Sequence, residues 1–393
     1  MKPLSIGIVG TGFVAEIHAQ TYARIAGPSF RIAGCASGRP ENARAFSAKW
    51  SYPRAYDHFE ELIRDPEVDA VDLCAPNDRH RDMITAAARA GKHVICEKPL
   101  TGAFGEGSGA EAAGLLPKRG LFQEALANVR ACGEAVRAAG VGFGYAENFV
   151  YAPPLAKARR LLDRAGGTIL DLRAEESHSG SHAEYARRWS RAGGGSLIRL
   201  GSHPIGAVLH LKRREGLRRD GRPIRPVRVT AETGTHTKMP SFLGEPEHFL
   251  KAGWEDVEDW ACALVTFEDG SHATIHSSDG VLGGVRNSVS IYASNAVLQV
   301  NINPSDTLKV YAPRPGIFAG EYIQEKLETD GGWNFPAPDE DWVRGYDAEL
   351  TDFIDCFRSG REPESGLALA EDTVRVIYAA YLSAEEGIRV DLP

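Results

Sequence analysis

A doubly wound, parallel α/β layer followed by an α+β layer with a large, mostly antiparallel open sheet is the fold class that this sequence predicts. Three observations carry it. Residues 4–99 alternate short apolar runs of strand length with helical segments. A glycine-rich turn follows the first of those runs. Beyond about residue 146 strand-like stretches succeed one another with few helices between them.

Taken in order, LSIGIV (4–9) reads as a buried strand, residues 12–26 as a helix, FRIAGCA (30–36) as a strand and residues 40–49 as a helix. A helix at DHFEELIRD (57–65), a strand at VDAVDLCAP (68–76), a helix at HRDMITAAARAG (80–91) and a strand at KHVICEKP (92–99) continue the pattern. Residues 101–117, with five glycines and little apolar content, break it and read as a long loop, either a cover over a ligand or a disordered insertion. A helix over 121–139 and a strand at VGFGYAEN (141–148) then close a first domain, placed at residues 1–145. In the second, residues 146–393, strands are expected at 167–177, 227–236, 259–280, 287–294 and 296–303, with helices over 347–386. The basic run KRREGLRRDGR (212–222) reads as a solvated loop.

With 393 residues and 43% hydrophobic content, the chain can bury two ordinary cores. Its 45 Lys and Arg stand against 53 Asp and Glu, a net charge of −8, which disfavours nucleic acid and anionic membranes as partners. No run approaches the roughly 18 apolar residues of a membrane span, and the first residues carry no pattern of an export signal. The six cysteines are scattered with no CxxC pair, so no metal site or disulfide framework is expected, and the cytoplasm is the expected location.

The glycine-rich turn is Gly10-Thr11-Gly12-Phe13-Val14-Ala15, between a strand and a helix. Its first glycine makes a tight turn, the second admits a pyrophosphate to the backbone, and the small sixth residue lets helix pack on strand. This is the dinucleotide fingerprint of a Rossmann unit. After the second strand an Asp or Glu would accept from the 2'-hydroxyl of NAD; here Ser37-Gly38-Arg39 stand instead, with no carboxylate until Glu41. A hydroxyl and a guanidinium suit a 2'-phosphate, so NADP is favoured over NAD.

A second stretch, GGGSLIRLGSHP (193–204), places Arg199 and His203 four residues apart after three glycines. On a helix they share a face, which fits either a site or an ordinary exposed face. Pro204 lacks an amide and disfavours helical geometry at His203, so a kink is expected there.

With the fingerprint at its head, Ala75-Pro76-Asn77 followed by His80, EKPL at 97–100, Gly201-Ser202-His203 and the tail YLSAEEGIRVDLP (381–393), the chain resembles the glucose-fructose oxidoreductase, inositol dehydrogenase and rhizopine-catabolism family (Gfo/Idh/MocA) over essentially its whole length. The resemblance implies a Rossmann domain, an α/β domain with an open sheet, and NAD(P)-dependent chemistry at a carbon of a sugar, sugar derivative or polyol. It implies that Lys98 polarises the hydroxyl and His203 serves as acid/base, and that Gly10, Gly12, Phe13, Val14, Ser37, Arg39, Pro76, Asn77, His80, Glu97 and Lys98 face the dinucleotide. Asn148, Tyr151, Glu176, His178 and Arg199 are further candidates for the carbohydrate. Much of the family has an aspartate where this chain has Arg199, which either binds an acidic or phosphorylated sugar or pairs with Glu175 or Glu176. A redox-assisted glycosidase and a non-catalytic dinucleotide-sensing regulator are the alternative functions. A homodimer or homotetramer through the open sheet is expected by resemblance.

Overall fold

The computed structural model describes residues 2–393 except 26, 28, 111, 304–307 and 338. Its first part runs β1 (Leu4–Val9), α1 (Phe13–Arg24), β2 (Phe30–Ala36), α2 (Pro40–Trp50), β3 (Ala55–Tyr56), α3 (Phe59–Arg64), β4 (Ala70–Leu73), α4 (His80–Arg89), β5 (His93–Glu97), α5 (Lys118–Ala139) and β6 (Phe143–Ala146). These strands form one sheet in the order β3-β2-β1-β4-β5-β6, parallel throughout. The order reverses between β1 and β4, and the ends of those strands leave the crevice where such sheets take ligands.

The second part adds α6 (Pro153–Ala165), β7 (Ile169–Ser177), α7 (Trp189–Ala192), α8 (Ser196–Arg199), α9 (Ser202–Asp220), β8 (Pro226–Gly234), α10 (Pro240–Leu243), β9 (Trp260–Phe267), β10 (His272–Ser278), β11 (Arg286–Ala293) and β12 (Ala296–Asn301). A small hairpin, β13 (Val310–Ala312) and β14 (Gly332–Asn334), precedes α11 (Glu340–Arg344), α12 (Tyr346–Ser359), α13 (Leu367–Glu386) and β15 (Val390–Asp391). The second sheet runs β12-β11-β7-β10-β9-β8-β15 and is antiparallel except where β10 meets β7. Strand alternation sets its faces. Ala263, Ile275, Ala174, Val289 and Val300 form one buried row, while the adjacent row Thr230, Leu264, Thr274, Arg173, Ser290 and Gln299 is exposed or half-buried.

Three expectations are corrected. The basic run at 212–222 belongs mostly to α9: Lys212 is fully buried, donating to Glu215 Oε2 at 2.5 Å and Asp269 Oδ2 at 2.8 Å. Pro204 does not kink a helix. It lies in the first turn of α9, where a missing amide costs no helical bond, and His203 is helical beside it. Residues 101–104 are buried, with the Ala103 carbonyl accepting from Trp189 Nε1 at 2.9 Å and the Ala103 amide donating to Tyr378 at 2.6 Å. The stretch 101–117 is thus a strap against α7 and α13, with exposed turns over 106–110; position 111 lies outside the described residues.

The last long helices return to the first sheet. A Cβ on Gly144 of β6 would lie 2.7 Å from the Phe353 ring of α12, so only glycine admits that contact. The same helix carries Glu349 fully into the core, where neither carboxylate oxygen has a hydrogen-bond partner among the described residues. Burial and the nearby Glu97 raise its carboxyl well above the ordinary range, with His18 opposing. Because the folded value exceeds the unfolded one, stability is intact below the unfolded value near pH 4.3 and is lost as pH rises through the folded value. Glu349→Gln, neutral at every pH, should therefore leave the melting temperature nearly unchanged at pH 5 and raise it at pH 8, by about 1 °C per kcal/mol recovered, as read by scanning calorimetry.

Candidate active site

The fingerprint turn is built by steric necessity. Gly10 has φ +106°, and a Cβ there would lie 2.3 Å from the Cys74 carbonyl of the neighbouring strand. Gly12 is the N-cap of α1, with open space where a side chain would be and no side-chain cap on the helix amides. An uncapped N-terminus over a strand crossover is a seat for a diphosphate. Phe13 beside it is 72% exposed, and Val14 is half-buried. Thr11 Oγ1 lies 3.2 Å from Ser37 Oγ, tying the turn to the end of β2, and Arg39 is exposed at the start of α2.

Other residues expected at the dinucleotide serve the framework. The two ring nitrogens of His80 lie 2.8 Å from the Pro99 carbonyl and 2.9 Å from that of Ala75, clasping the turns after β5 and β4. The imidazole is fully buried between the two carbonyls. Asn77, in the short helical turn after Pro76, donates to the Ala192 carbonyl at 2.9 Å. Glu97 Oε1 takes His18 Nε2 at 3.1 Å, and Oε2 accepts the Lys98 amide. His18 in turn meets Asp72 Oδ2 at 2.8 Å, and Tyr22 donates to the same oxygen at 2.9 Å. Burial works to discharge His18, but the Asp72 carboxylate wins and holds its value well above the ordinary one. None of His18, Tyr22 or Asp72 was anticipated. Helical spacing marks His18 and Tyr22 as one face of α1, but not as a polar one.

At the end of β5 the Lys98 ammonium donates to the Arg199 carbonyl at 2.7 Å. His203, on the first turn of α9, stacks on Phe149 with ring centroids 4.7 Å apart, and its Nδ1 lies 2.7 Å from Glu147 Oε1. Its Nε2 is left facing Glu176 Oε2 at 3.9 Å. Burial holds the imidazole well below its ordinary value, helped by Lys98 and Arg344, and burial raises Glu147 well above the carboxylate range. A proton shared at 2.7 Å between such groups titrates as a property of the pair. Glu176, whose Oε2 has no partner among the described residues, is pushed up to about 8 by burial. Glu147 was missed by the sequence reading, although it sits beside Asn148 at the end of β6.

Arg199 does not share a face with His203. The helix breaks at Leu200–Gly201, and the guanidinium turns to Asp279, gripping both its carboxylate oxygens, with the cation 4.7 Å from the Trp254 ring centroid. A structural pairing was anticipated, but with Glu175 or Glu176; the partner is Asp279, at the end of β10. The three glycines admit a different neighbour from a ligand. A Cβ on Gly195 would lie 1.8 Å from the Glu258 carbonyl, and the Glu258 carboxylate accepts the amides of Gly195 and Leu197, each at 2.9 Å, capping α8.

Tyr151 and Asn148 are tied to the C-terminal helices: the Tyr151 hydroxyl donates to Asp352 at 2.7 Å and accepts the Ser365 amide at 3.0 Å, while Asn148 donates to the Arg344 carbonyl at 3.1 Å. Both brace α11 and α12. His178 accepts the Gly180 amide at Nδ1, and burial keeps it neutral, its value well below the ordinary one. Arg344 was not anticipated. It binds Glu325 at 2.6 Å and Glu340 at 2.7 Å, which anchors the segment between β13 and β14 above the cleft. Asp279→Asn should strand the buried Arg199 charge and destabilise the fold by about 3–5 kcal/mol, measured by denaturant unfolding, with the double variant Asp279→Asn, Arg199→Met recovering part of the loss.

A family model described as an oxidoreductase family with an NAD-binding Rossmann fold, GFO_IDH_MocA, matches residues 4–113, and the GFO/IDH/MocA C-terminal domain model matches residues 155–299. Levoglucosan dehydrogenase of Pseudarthrobacter phenanthrenivorans is 26% identical over 223 residues, 54% of this chain and 52% of that protein. Myo-inositol 2-dehydrogenase of Thermotoga maritima is 36% identical over 98 residues, 25% of this chain and 29% of that protein. The chain thus spans about half the length, or less, of these curated relatives. The crystal structure of GenD2 from gentamicin A biosynthesis, in complex with NAD, superposes with a TM-score of 0.79 over 100% of this chain and 97% of that one, at 22% identity, a likeness of fold.

Proposed function

The chain belongs to the GFO/IDH/MocA oxidoreductase family, and from that premise we propose that it is an NAD(P)-dependent dehydrogenase or reductase acting at a carbon of a sugar, sugar derivative or polyol. One observation supports this reading above the others: Lys98 after β5, Glu147 after β6 and His203 on α9 are set around the same cleft, with Glu176 of β7 facing His203. When bound, the nicotinamide dinucleotide supplies the hydride acceptor or donor. Lys98, with one donor on the Arg199 carbonyl, keeps two for a substrate oxygen and stabilises negative charge developing there. His203 exchanges the hydroxyl proton at Nε2, and Glu147 orients the ring through Nδ1. The relatives named for levoglucosan and myo-inositol point to the substrate class.

Ser37 and Arg39 favour NADP, since the end of β2 offers no carboxylate to a 2'-hydroxyl. The exposed row of the second sheet is our choice for pairing between copies, giving a dimer or tetramer.

Fluorescence titration with NADPH and NADH, followed by a screen of sugars and polyols by nicotinamide absorbance, tests the reading. Tighter NADPH binding is expected, weakened about tenfold by Arg39→Ala; absence of binding by either dinucleotide refutes the proposal. His203→Ala and Lys98→Ala should each lower kcat by about 10²–10⁴ while dinucleotide binding persists. The pH profile carries a further expectation. As pH rises through about 8, Glu176 ionises 3.9 Å from His203 Nε2 and favours proton uptake there. Oxidation should therefore speed up across that range, and Glu176→Gln should flatten this limb.

A further inference from the structure

Once Arg199 is committed to Asp279, the cleft retains a cation that the sequence reading passed over. Lys326 lies in the excursion between β13 and β14, and its side chain is only 10% exposed. Among the described residues its ammonium makes no hydrogen bond; the nearest carboxylate oxygen is that of its neighbour Glu325, 4.0 Å away. The carboxylates around it are already engaged: Glu325 accepts Arg344 at 2.6 Å, and Asp279 accepts Arg199. Its backbone is held at φ +59°, a conformation shared among described non-glycine residues only with Ser51. Strain of this kind persists where surroundings enforce it.

The surroundings are a built anchorage. Glu340 Oε2 accepts both the Tyr322 hydroxyl at 2.6 Å and the Glu325 amide at 3.2 Å, while Oε1 receives Arg344 at 2.7 Å and Asn303 at 3.1 Å. Arg344, which holds Glu325, also accepts Asn148 on its carbonyl at 3.1 Å beside Glu147, and this sets Lys326 against the cleft, where burial first and the Lys326 charge second keep the His178 imidazole neutral. A lysine side chain only 10% exposed, whose ammonium makes no hydrogen bond among the described residues, is completed by an oxyanion.

We propose that Lys326 is a specificity-determining contact that receives an anionic group, a carboxylate or phosphate, of the sugar substrate. This rests on the carbohydrate reading of the cleft above, and it moves the recognition of acidic sugars from Arg199, which is neutralised, to the segment over the cleft. The ammonium provides a point charge with rotatable donors, so it accepts either oxyanion without the planar fit an arginine requires.

Calorimetric titration of the dinucleotide-loaded protein tests this without requiring turnover. D-gluconate is compared with D-glucitol, which replaces the carboxylate by a hydroxymethyl group, and glucose 6-phosphate with glucose. Wild type is expected to bind at least one anionic probe about tenfold or more tighter than its neutral counterpart; which pair shows it identifies the oxyanion. Lys326→Met should bring that ratio to within about threefold of unity, and Lys326→Arg should restore part of it, with melting temperatures checking that each variant folds. Equal binding of acid and neutral probes by wild type, or an unchanged ratio in Lys326→Met, overturns the inference. If no dinucleotide binds, the dehydrogenase reading fails, and the same ratios measured on the free protein still decide the role of Lys326.

Discussion

The cleft depends on a helix that stops. Between α8 and α9 regular helix is interrupted for the two residues Leu200 and Gly201; the His203 amide goes to the Leu200 carbonyl, and among the described residues the Arg199 carbonyl has no backbone donor of its own helix. That carbonyl receives Lys98 from the first sheet. An uninterrupted helix would have consumed it internally, and the ammonium would have lost its anchor. The interruption also separates the two polar residues by direction: Arg199 falls toward β10, and His203 toward β6. Gly195 and Glu258 hold the start of α8 against β9, so the position of the break is determined from behind.

Around this junction the protein buries more carboxyl groups than it neutralises. Glu147, Glu176 and Glu349 are all shifted upward by desolvation, and only the first has an imidazole within hydrogen-bond distance. Carboxyls kept protonated near neutrality are donors as well as acceptors, a property that ionised ones lack. Elsewhere a buried carboxyl has a basic side chain in direct contact, as Asp72 with His18 and Asp279 with Arg199. The same residue type therefore plays two parts, and burial with its neighbours decides which.

The fold was legible where chemistry is local. Apolar runs of strand length, the fingerprint turn and the helical period of the tail all express themselves within ten or so residues, and the first sheet follows from them in order. The second sheet was legible as strands, because alternation survives in a sheet with one wet face. Its helices were not. In α9 the charges of Lys212 to Arg219 look solvated until Glu215 and Asp269 are brought to Lys212, a pairing 57 residues apart in the case of Asp269. The site shows the same division. Lys98 and His203 stand in short recognisable motifs, whereas Glu147 and Asp279 acquire meaning only from contacts 56 and 80 residues away, and Arg344 from Glu325, 19 residues back. Tyr151 and His80 show that a polar residue near a motif can also brace the motif, a role that only contacts remote in sequence reveal.

The return of α12 to the first sheet has a consequence for biosynthesis. Phe353 and Phe357 lie against Gly144 and Gly142, covering a face that the first half of the chain cannot close by itself. While the polypeptide is being made, that face stays open through some two hundred residues of further synthesis, including the whole second sheet. A ribosome-bound chain of this protein therefore leaves that apolar face without its final cover until the sequence beyond residue 350 has emerged.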